Sequence, residues 1–177
     1  SGVTRSQDLV GHWTFDGNAN DSSGNGNQGT IKGAILGSDR RGQAGQAIEL
    51  DGIDDHIVIN NSTTLNPKDQ MTISAWIKFN GYTNGWSPIL HKGGKQVSGY
   101  KNREYTLWLH QHPYLHFTSA GNNSSQKSYN TSVPKGKWFH FAVSLDRKNH
   151  KLVTYLDGKK HLEQTDSYSS FNNNNND

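Results

Sequence analysis

The chain has 177 residues, 31% of them hydrophobic and 10% aromatic, and a formal net charge of +3 with its nine histidines counted as neutral. This length suits one domain with a hydrophobic core, and the aromatic content argues against a disordered chain. The positive charge is mild and contains no dense Lys/Arg run, so nucleic acid is not an expected partner. There is no apolar run long enough to insert into a membrane. The absence of cysteine excludes disulfides and a thiolate nucleophile.

Strand patterns dominate the chain. In order, strands are predicted at 46–50 and 56–59 around an Asp51-Gly52 turn, then at 71–79, 104–110, 114–118, 138–145 and 151–157, the last ending in an Asp157-Gly158 turn. Apolar residues alternate along them, as in Ile73, Ala75 and Ile77, and there is no sustained helical period. Short strands with regular turns predict an all-β fold, an antiparallel two-sheet β-sandwich or jelly roll.

The two ends of the chain differ from this pattern. Ser1 and Gly2 are typical of a cloning remnant, so residues 1–8 are assigned as remnant and leader, and residues 9–168 as one domain. Residues 169–177 contain five consecutive Asn and are predicted to be an Asn-rich flexible loop or tail.

A loop at 13–29 is rich in oxygen-bearing side chains and glycine. Its near-alternating Asp and Asn residues could surround a hard cation such as calcium, which takes six to eight oxygen ligands. An ordinary polar turn, stabilised by Asn and Asp bonding to their own backbone, is the alternative. The spacing alone leaves both open. The oxygen donors of the loop are Asp16, Asn18, Asp21, Ser23, Asn25 and Asn27.

A second group of side chains, at 82–118, combines aromatic rings with hydrogen-bonding groups. Alternation places Trp108 and His110 on one face of a strand, and Tyr114 and His116 on one face of the next. Trp and Tyr can stack on the apolar faces of sugars, while His and Arg bind their hydroxyl edges. The candidate ligand-binding residues are Trp86, His91, Arg103, Trp108, His110, Tyr114 and His116, with Trp86 in an exposed loop and the loops 93–102 and 121–130 at the rim.

Two other interpretations of this group remain. Trp108 could be a half-buried core residue with merely exposed histidines around it. His110 and His112 could also hold zinc, although no cysteine completes such a site.

Four segments together resemble the laminin G-type domains of the concanavalin A-like lectin/glucanase superfamily in bacterial secreted proteins. They are LVGHWTFDGNANDSSGNGNQGT at 9–30, GQAGQAIELDGIDDHI at 42–57, LNPKDQMTISAWIK at 65–78, and GKWFHFAVS at 136–144 with YLDGK at 155–159. The resemblance implies a jelly-roll sandwich that carries a structural calcium. It brings Asp51 and Asp55 near Asp16, Asn18, Asp21 and Asn27 as metal ligands, and it places Trp13, Trp76 and Trp138 as core or edge packing.

The resemblance also implies a closing C-terminal strand, which nothing after Gly158 matches. The expectation is that the domain lacks its closing strands in this chain. A cut at the flexible Asn tract, with the C-terminal remainder of the domain as a separate chain, is favoured over two alternatives, a truncated chain and an unusual domain.

The resemblance specifies the fold better than the function. It favours a non-catalytic carbohydrate-binding module of a secreted or surface bacterial protein, which binds a neutral or anionic polysaccharide and anchors an attached catalytic domain. A calcium-dependent adhesin or protein-interaction domain is the alternative. A glycan-active enzyme is less favoured, because the sequence Glu49, Asp51, Asp54 only superficially matches the paired carboxylates of related glucanases.

Overall fold

The computed structural model describes residues 9–81, 85–93, 103–112, 114–121 and 127–171, with backbone alone at 127–130. Contacts within the chain separate it into two units, residues 1–66 and 67–177. The expected single domain over 9–168 stays a prediction.

Unit 1 contains four short strands in two antiparallel pairs. These are β1 (Gly29–Lys32), β2 (Ile35–Ser38), β3 (Ala44–Glu49) and β4 (His56–Ile59), followed by a single 3₁₀ turn at Thr63–Leu65. The predicted strands at 46–50 and 56–59 are both present, but they do not pair with each other. Instead β4 pairs with β1, and β3 pairs with β2.

Unit 2 contains two four-stranded antiparallel sheets. Sheet A has the order β12-β11-β10-β5, and sheet B has the order β6-β7-β8-β9. The strands of sheet A are β5 (Gln70–Lys78), β10 (Trp138–Asp146), β11 (Lys151–Leu156) and β12 (Lys159–Thr165). Those of sheet B are β6 (Trp86–Gly93), β7 (Arg103–His110), β8 (Tyr114–Ser119) and β9 (Lys127–Ser132).

The core of unit 2 lies between these sheets. Phe139, Phe141 and Val143 of β10 pack with Leu107 of β7 and Phe117 of β8, all essentially without solvent contact. Burial alternates strictly along β5 and β10. Every second side chain points towards this core, and the side chains between them point to the opposite face of the sheet. The predicted all-β, antiparallel two-sheet sandwich is therefore confirmed, and so is the alternation that the sequence shows at 71–79.

Two tryptophans lie elsewhere than expected. Trp76 was expected to pack in the core or at an edge, but it is 48% exposed, because it belongs to the face of β5 that points away from the core. Trp86 was expected in a loop, but it is the first residue of strand β6. The expectation for Trp76 came from its motif position instead of from strand alternation, and the expectation for Trp86 came from the turn-type residues around it at 84–88.

Candidate functional site

The outer face of sheet B, opposite the core, carries a cluster of aromatic and imidazole rings around Trp86. The indole centroid is 4.5 Å from that of His110, 5.7 Å from that of Tyr114 and 4.8 Å from that of His116. His110 and Tyr114 stack on each other at 4.6 Å with 19° between their planes. We refer to these four residues as the Trp86 cluster.

Strand pairing brings the cluster together from three strands. Trp86 opposes His110 across the β6–β7 pair, and the short β7–β8 turn returns the chain so that Tyr114 and His116 lie on the same face. The indole remains 45% exposed, while its three neighbours are partly buried. An exposed indole supported by rings on its flank is a rigid surface on which an apolar ligand face can stack.

Farther along the same face, a second tryptophan is buried among its neighbours. Trp108 is only 8% exposed. Its indole Nε1 donates to Thr118 Oγ1 at 3.4 Å, and the Arg103 guanidinium lies 4.9 Å from its ring centroid. His91 is 6.4 Å from the same ring and hydrogen bonds to Thr106 Oγ1 at 2.9 Å. Trp108 is therefore packed beneath its neighbours and does not present an open face.

A buried carboxylate lies at the start of β7. Glu104 has a side-chain exposure of 1%, and its Oε2 is 3.5 Å from the ammonium of Lys92 on β6. Burial raises the pKa of Glu104, and the charge of Lys92 opposes part of that rise. The register shift between Lys92 and Gly93 coincides with this point in the sheet. The Glu104 carboxylate is thus buried in the sheet, at a distance from the exposed indole of Trp86.

The oxygen-rich loop of unit 1 is organised by Asp21. Its carboxylate accepts hydrogen bonds from the backbone of His12, Ser23 and Asn27 and from the Ser23 hydroxyl, at 2.8–3.0 Å. Burial disfavours the charge of Asp21, but these hydrogen bonds outweigh it and lower the pKa. Because four donors already occupy this carboxylate, metal binding would have to displace at least one of them.

The remaining predicted ligands of this loop are also engaged locally. Asn27 donates through Nδ2 to Val10 O at 2.7 Å and to Thr64 Oγ1 at 2.9 Å. Asn18 donates to Asp16 O and accepts from the backbone of Asn20. These contacts are those of a polar turn.

A compact acidic turn lies at 51–55. Ligand oxygens of Asp51, Asp54 and Asp55 all fall within 4.8 Å of one another, and among the described residues this is the group of His, Asp or Glu side chains that could share an ion. Neither Asp16 nor Asp21 belongs to it. Asp51 Oδ1 accepts from the backbone of Ile53 at 2.8 Å, and this hydrogen bond is the main reason that the pKa of Asp51 is lowered. Asp54 was absent from the predicted ligand set, although its place in the same turn was visible in the sequence.

The donor set at 51–55 fits a hard cation. Carboxylate oxygens are the ligands calcium prefers. Gly33 makes room for the turn, because a Cβ atom at this position would collide with Asp55 Oδ1. The predicted ligands thus separate into two places: Asp51 and Asp55 are together, and Asp16, Asn18, Asp21 and Asn27 belong to a hydrogen-bonded loop.

The predicted ligand-binding residues separate similarly. Trp86, His110, Tyr114 and His116 form the exposed cluster, and His112 extends it, with its ring 5.3 Å from that of His110. Trp108, His91 and Arg103 form the neighbouring group, in which Trp108 is buried, Arg103 is partly buried and His91 is exposed. Most of the expected rim loops, 94–102 and 122–126, lies outside the described residues.

Comparison with known protein families shows the family to which the chain belongs. A family model of the laminin G type, described as concanavalin A-like lectin/glucanases superfamily, matches residues 51–177. The chain belongs to this family. The match spans all of unit 2 and therefore includes both sheets A and B.

Solved structures share the fold of this laminin G-type chain. Domain 4 of AbnA, a GH43 extracellular arabinanase from Geobacillus stearothermophilus, in complex with arabinotriose, has a TM-score of 0.60 at 22% identity, covering 92% of this chain and 80% of that one. The CBM40 domain of Ruminococcus gnavus IT-sialidase, bound to α2,3-sialyllactose, has a TM-score of 0.54 at 13% identity, covering 82% and 73%. The comparison with curated protein sequences gives no match.

Within the described part of the laminin G-type chain, there is no helix with the length and apolar character needed to cross a bilayer.

Proposed function

We propose that this protein is a non-catalytic carbohydrate-binding module and that the Trp86 cluster binds the glycan. The observation that carries the proposal is the half-exposed Trp86 indole, fixed by rings from three strands on the outer face of a sheet. The two structural relatives are described as complexes with oligosaccharides, arabinotriose and sialyllactose, which supports the same ligand class here.

The chemistry of the cluster matches the two sides of a sugar ring. The apolar C–H face of a sugar can stack on the indole of Trp86. Its hydroxyl edge can hydrogen bond to the imidazoles of His110 and His116 and to the hydroxyl of Tyr114. The partly buried rings of His110, Tyr114 and His116 restrain the indole, which lowers the entropic cost of binding.

The scarcity of acidic residues in sheet B supports a binding role without catalysis. The strands β6 to β9 contain one acidic residue, Glu104, which is buried against Lys92. Glycoside hydrolases generally need a pair of carboxylates on either side of the scissile bond. A lone, buried carboxylate does not provide that pair.

The proposal includes a structural calcium held by Asp51, Asp54 and Asp55. Carboxylate oxygens are hard ligands, which supports a calcium ion here. One oxygen from each of the three carboxylates lies within 4.8 Å of the others, which also supports it. When bound, the ion would neutralise this charge and fix the turn between β3 and β4. A module of this kind would act outside the cell, attached to a bacterial enzyme or surface protein, where tethering raises the local substrate concentration.

Native affinity electrophoresis in gels containing linear arabinan, polygalacturonate or no polysaccharide tests the proposal, with a sialyllactose titration alongside. Retardation of the wild type that is strongly reduced in Trp86→Ala and also reduced in His110→Ala supports it. Ile35→Ala changes another exposed apolar residue, in unit 1, and serves as the control. Equal migration of wild type and Trp86→Ala in every gel would remove the proposed site. Calcium-dependent binding to a protein with no glycan retention would favour the adhesin alternative.

A further inference from the structure

The pairing of a half-exposed tryptophan with a cross-strand histidine occurs twice among the described residues of unit 2. On sheet B, Trp86 opposes His110, with centroids 4.5 Å apart. On sheet A, Trp76 of β5 opposes His140 of β10, with centroids 5.3 Å apart. The two indoles are almost equally exposed, at 45% and 48%. Nothing in the motif interpretation or in the proposed Trp86 site explains the second pair.

The 48% exposed Trp76 has small side chains beside it in one direction along the strands and larger ones in the other. On one side, the next cross-strand pair on this face is Ser74 with Ala142, and both side chains are small. On the other side, the next pair is Lys78 with the partly exposed Trp138. Side chains two residues apart on a strand are separated by about 7 Å. A sugar ring stacked on Trp76 would therefore meet only small side chains in the direction of Ser74, while its polar edge reaches towards Lys78 in the other direction.

The polar character of this face makes the aromatic residues notable. A solvent-facing strand surface is normally polar, as Thr72 and Ser74 are here. A single exposed apolar residue needs no explanation. Trp76, Trp138 and His140, however, form a continuous strip that contributes little to the core, because it lies on the opposite side of the sheet.

The charges around the strip favour a ligand rich in oxygen. No ion pair among the described residues includes Lys78, which lies beside the strip. Glu163 of β12, on the same face, is already engaged by Lys151 at 2.8 Å and by Lys160 at 2.9 Å. The ammonium of Lys78 is thus available to a hydroxyl or a carboxylate of a saccharide.

We propose that the outer face of sheet A is a second glycan-binding surface, on which Trp76 stacks against a sugar ring while Lys78 and His140 bind its polar edge. The proposal rests on the proposed function, since it assigns the same ligand class to another face. The two surfaces lie on opposite outer faces of the sandwich, so one ring cannot contact both. The module therefore engages two polysaccharide chains, or two distant stretches of one chain.

The experiment compares a polymer with a short oligosaccharide. Binding to linear arabinan and polygalacturonate is measured by affinity electrophoresis, and binding to arabinotriose by titration calorimetry. The variants are Trp76→Ala, Trp86→Ala, the double variant, and Ile35→Ala as the control. Trp76→Phe, which keeps a ring, and thermal unfolding of every variant check the fold.

We expect Trp76→Ala to weaken polymer retention about tenfold or more, because losing one of two tethered sites removes avidity. Trp86→Ala should keep a residual retention that the double variant loses. Polymer retention of Trp76→Ala equal to that of the wild type would overturn the second surface while leaving the Trp86 result intact. Absence of wild-type retention would overturn both proposals. A dimer in sedimentation velocity that Trp76→Ala converts to a monomer, with glycan retention unchanged, would make this face a protein interface and also overturn the inference.

Discussion

Arg147 and Asp166 form an ion pair inside unit 2, with Arg147 Nε 3.3 Å from Asp166 Oδ2 and neither side chain exposed to solvent. The guanidinium also donates to the carbonyls of Ala120 and Ser170 at 2.8 Å and to Ser119 Oγ at 3.0 Å. Its plane lies 4.0 Å from the ring centroid of Phe171. One side chain thus holds the end of β8, the β10–β11 turn and the segment after β12 together.

Replacement of Arg147 should therefore destabilise the protein severely. We expect Arg147→Met to lower the free energy of unfolding by about 3–5 kcal/mol, because it leaves the Asp166 carboxylate buried without its cation. Urea unfolding measures the loss. Adding Asp166→Asn to this variant should recover part of it, and a loss below about 1 kcal/mol would mean that the pair is solvated.

Glu104 should make the stability of the protein depend on pH. Burial raises its pKa in the folded state, so the folded protein holds this proton more tightly than the unfolded chain does. The stabilising contribution is complete below the ordinary pKa of a glutamate and is lost as the pH rises through the raised value. Melting temperatures of wild type and Glu104→Gln across the acid range should converge at low pH and diverge as the pH rises.

Lys92→Met provides the matched test of that explanation. Because the ammonium of Lys92 opposes the rise in the pKa of Glu104, its removal should steepen the loss of stability with rising pH. Parallel melting curves for wild type, Glu104→Gln and Lys92→Met at all pH values would contradict the burial of a titrating charge.

Asp21 should make the stability of the protein depend on pH in the direction opposite to that of Glu104. Its pKa is lowered because hydrogen bonds outweigh the effect of burial, so its contribution is complete above the ordinary aspartate pKa and is lost as the pH falls through the lowered value. Asp21→Asn should cost on the order of 2 kcal/mol, since an amide cannot accept from all these donors. Hydrogen exchange at the backbone amides of His12, Ser23 and Asn27 should accelerate, whereas the exposed Asp16→Asn should leave it unchanged.

Calcium should stabilise the protein through the acidic turn. The melting temperature should rise with calcium and fall with chelator, because a ligand of the folded state alone favours folding. Asp54→Asn should abolish that rise. Asp39→Asn, which changes a partly exposed acid of unit 1 outside this turn, should preserve it. A melting temperature that does not respond to calcium in the wild type would remove the metal from the proposal.

The sequence predicted the fold well because the sandwich depends on alternation. Ile73, Ala75 and Ile77 alternate with polar residues, and the structure places them on the core side of β5. The strands β1, β2, β6, β9 and β12 were not predicted. Four-residue strands with glycine, such as β1 and β2, carry little periodicity.

The candidate site was only partly predictable. The shared face of His110, Tyr114 and His116 followed from alternation along two strands. The burial of Trp108 did not, because it depends on Arg103 and Thr118, which the fold brings over the indole. Alternation also placed Trp76 beside Thr72 and Ser74 on a polar face, a signal that the motif interpretation overrode.

The pairing of β5 with β10 has a consequence for how the protein folds. Nine residue pairs join these strands, from Trp138 with Lys78 to Asp146 with Gln70, although more than fifty residues of chain separate them. By contrast, β7 and β8 are neighbours in sequence and can form a hairpin locally. Closing so long a loop costs entropy before any contact is gained, which slows folding. On a ribosome, β5 emerges long before its partner, so the core of unit 2 closes only after β10 has been synthesised, with the sheet B hairpins already available to receive it.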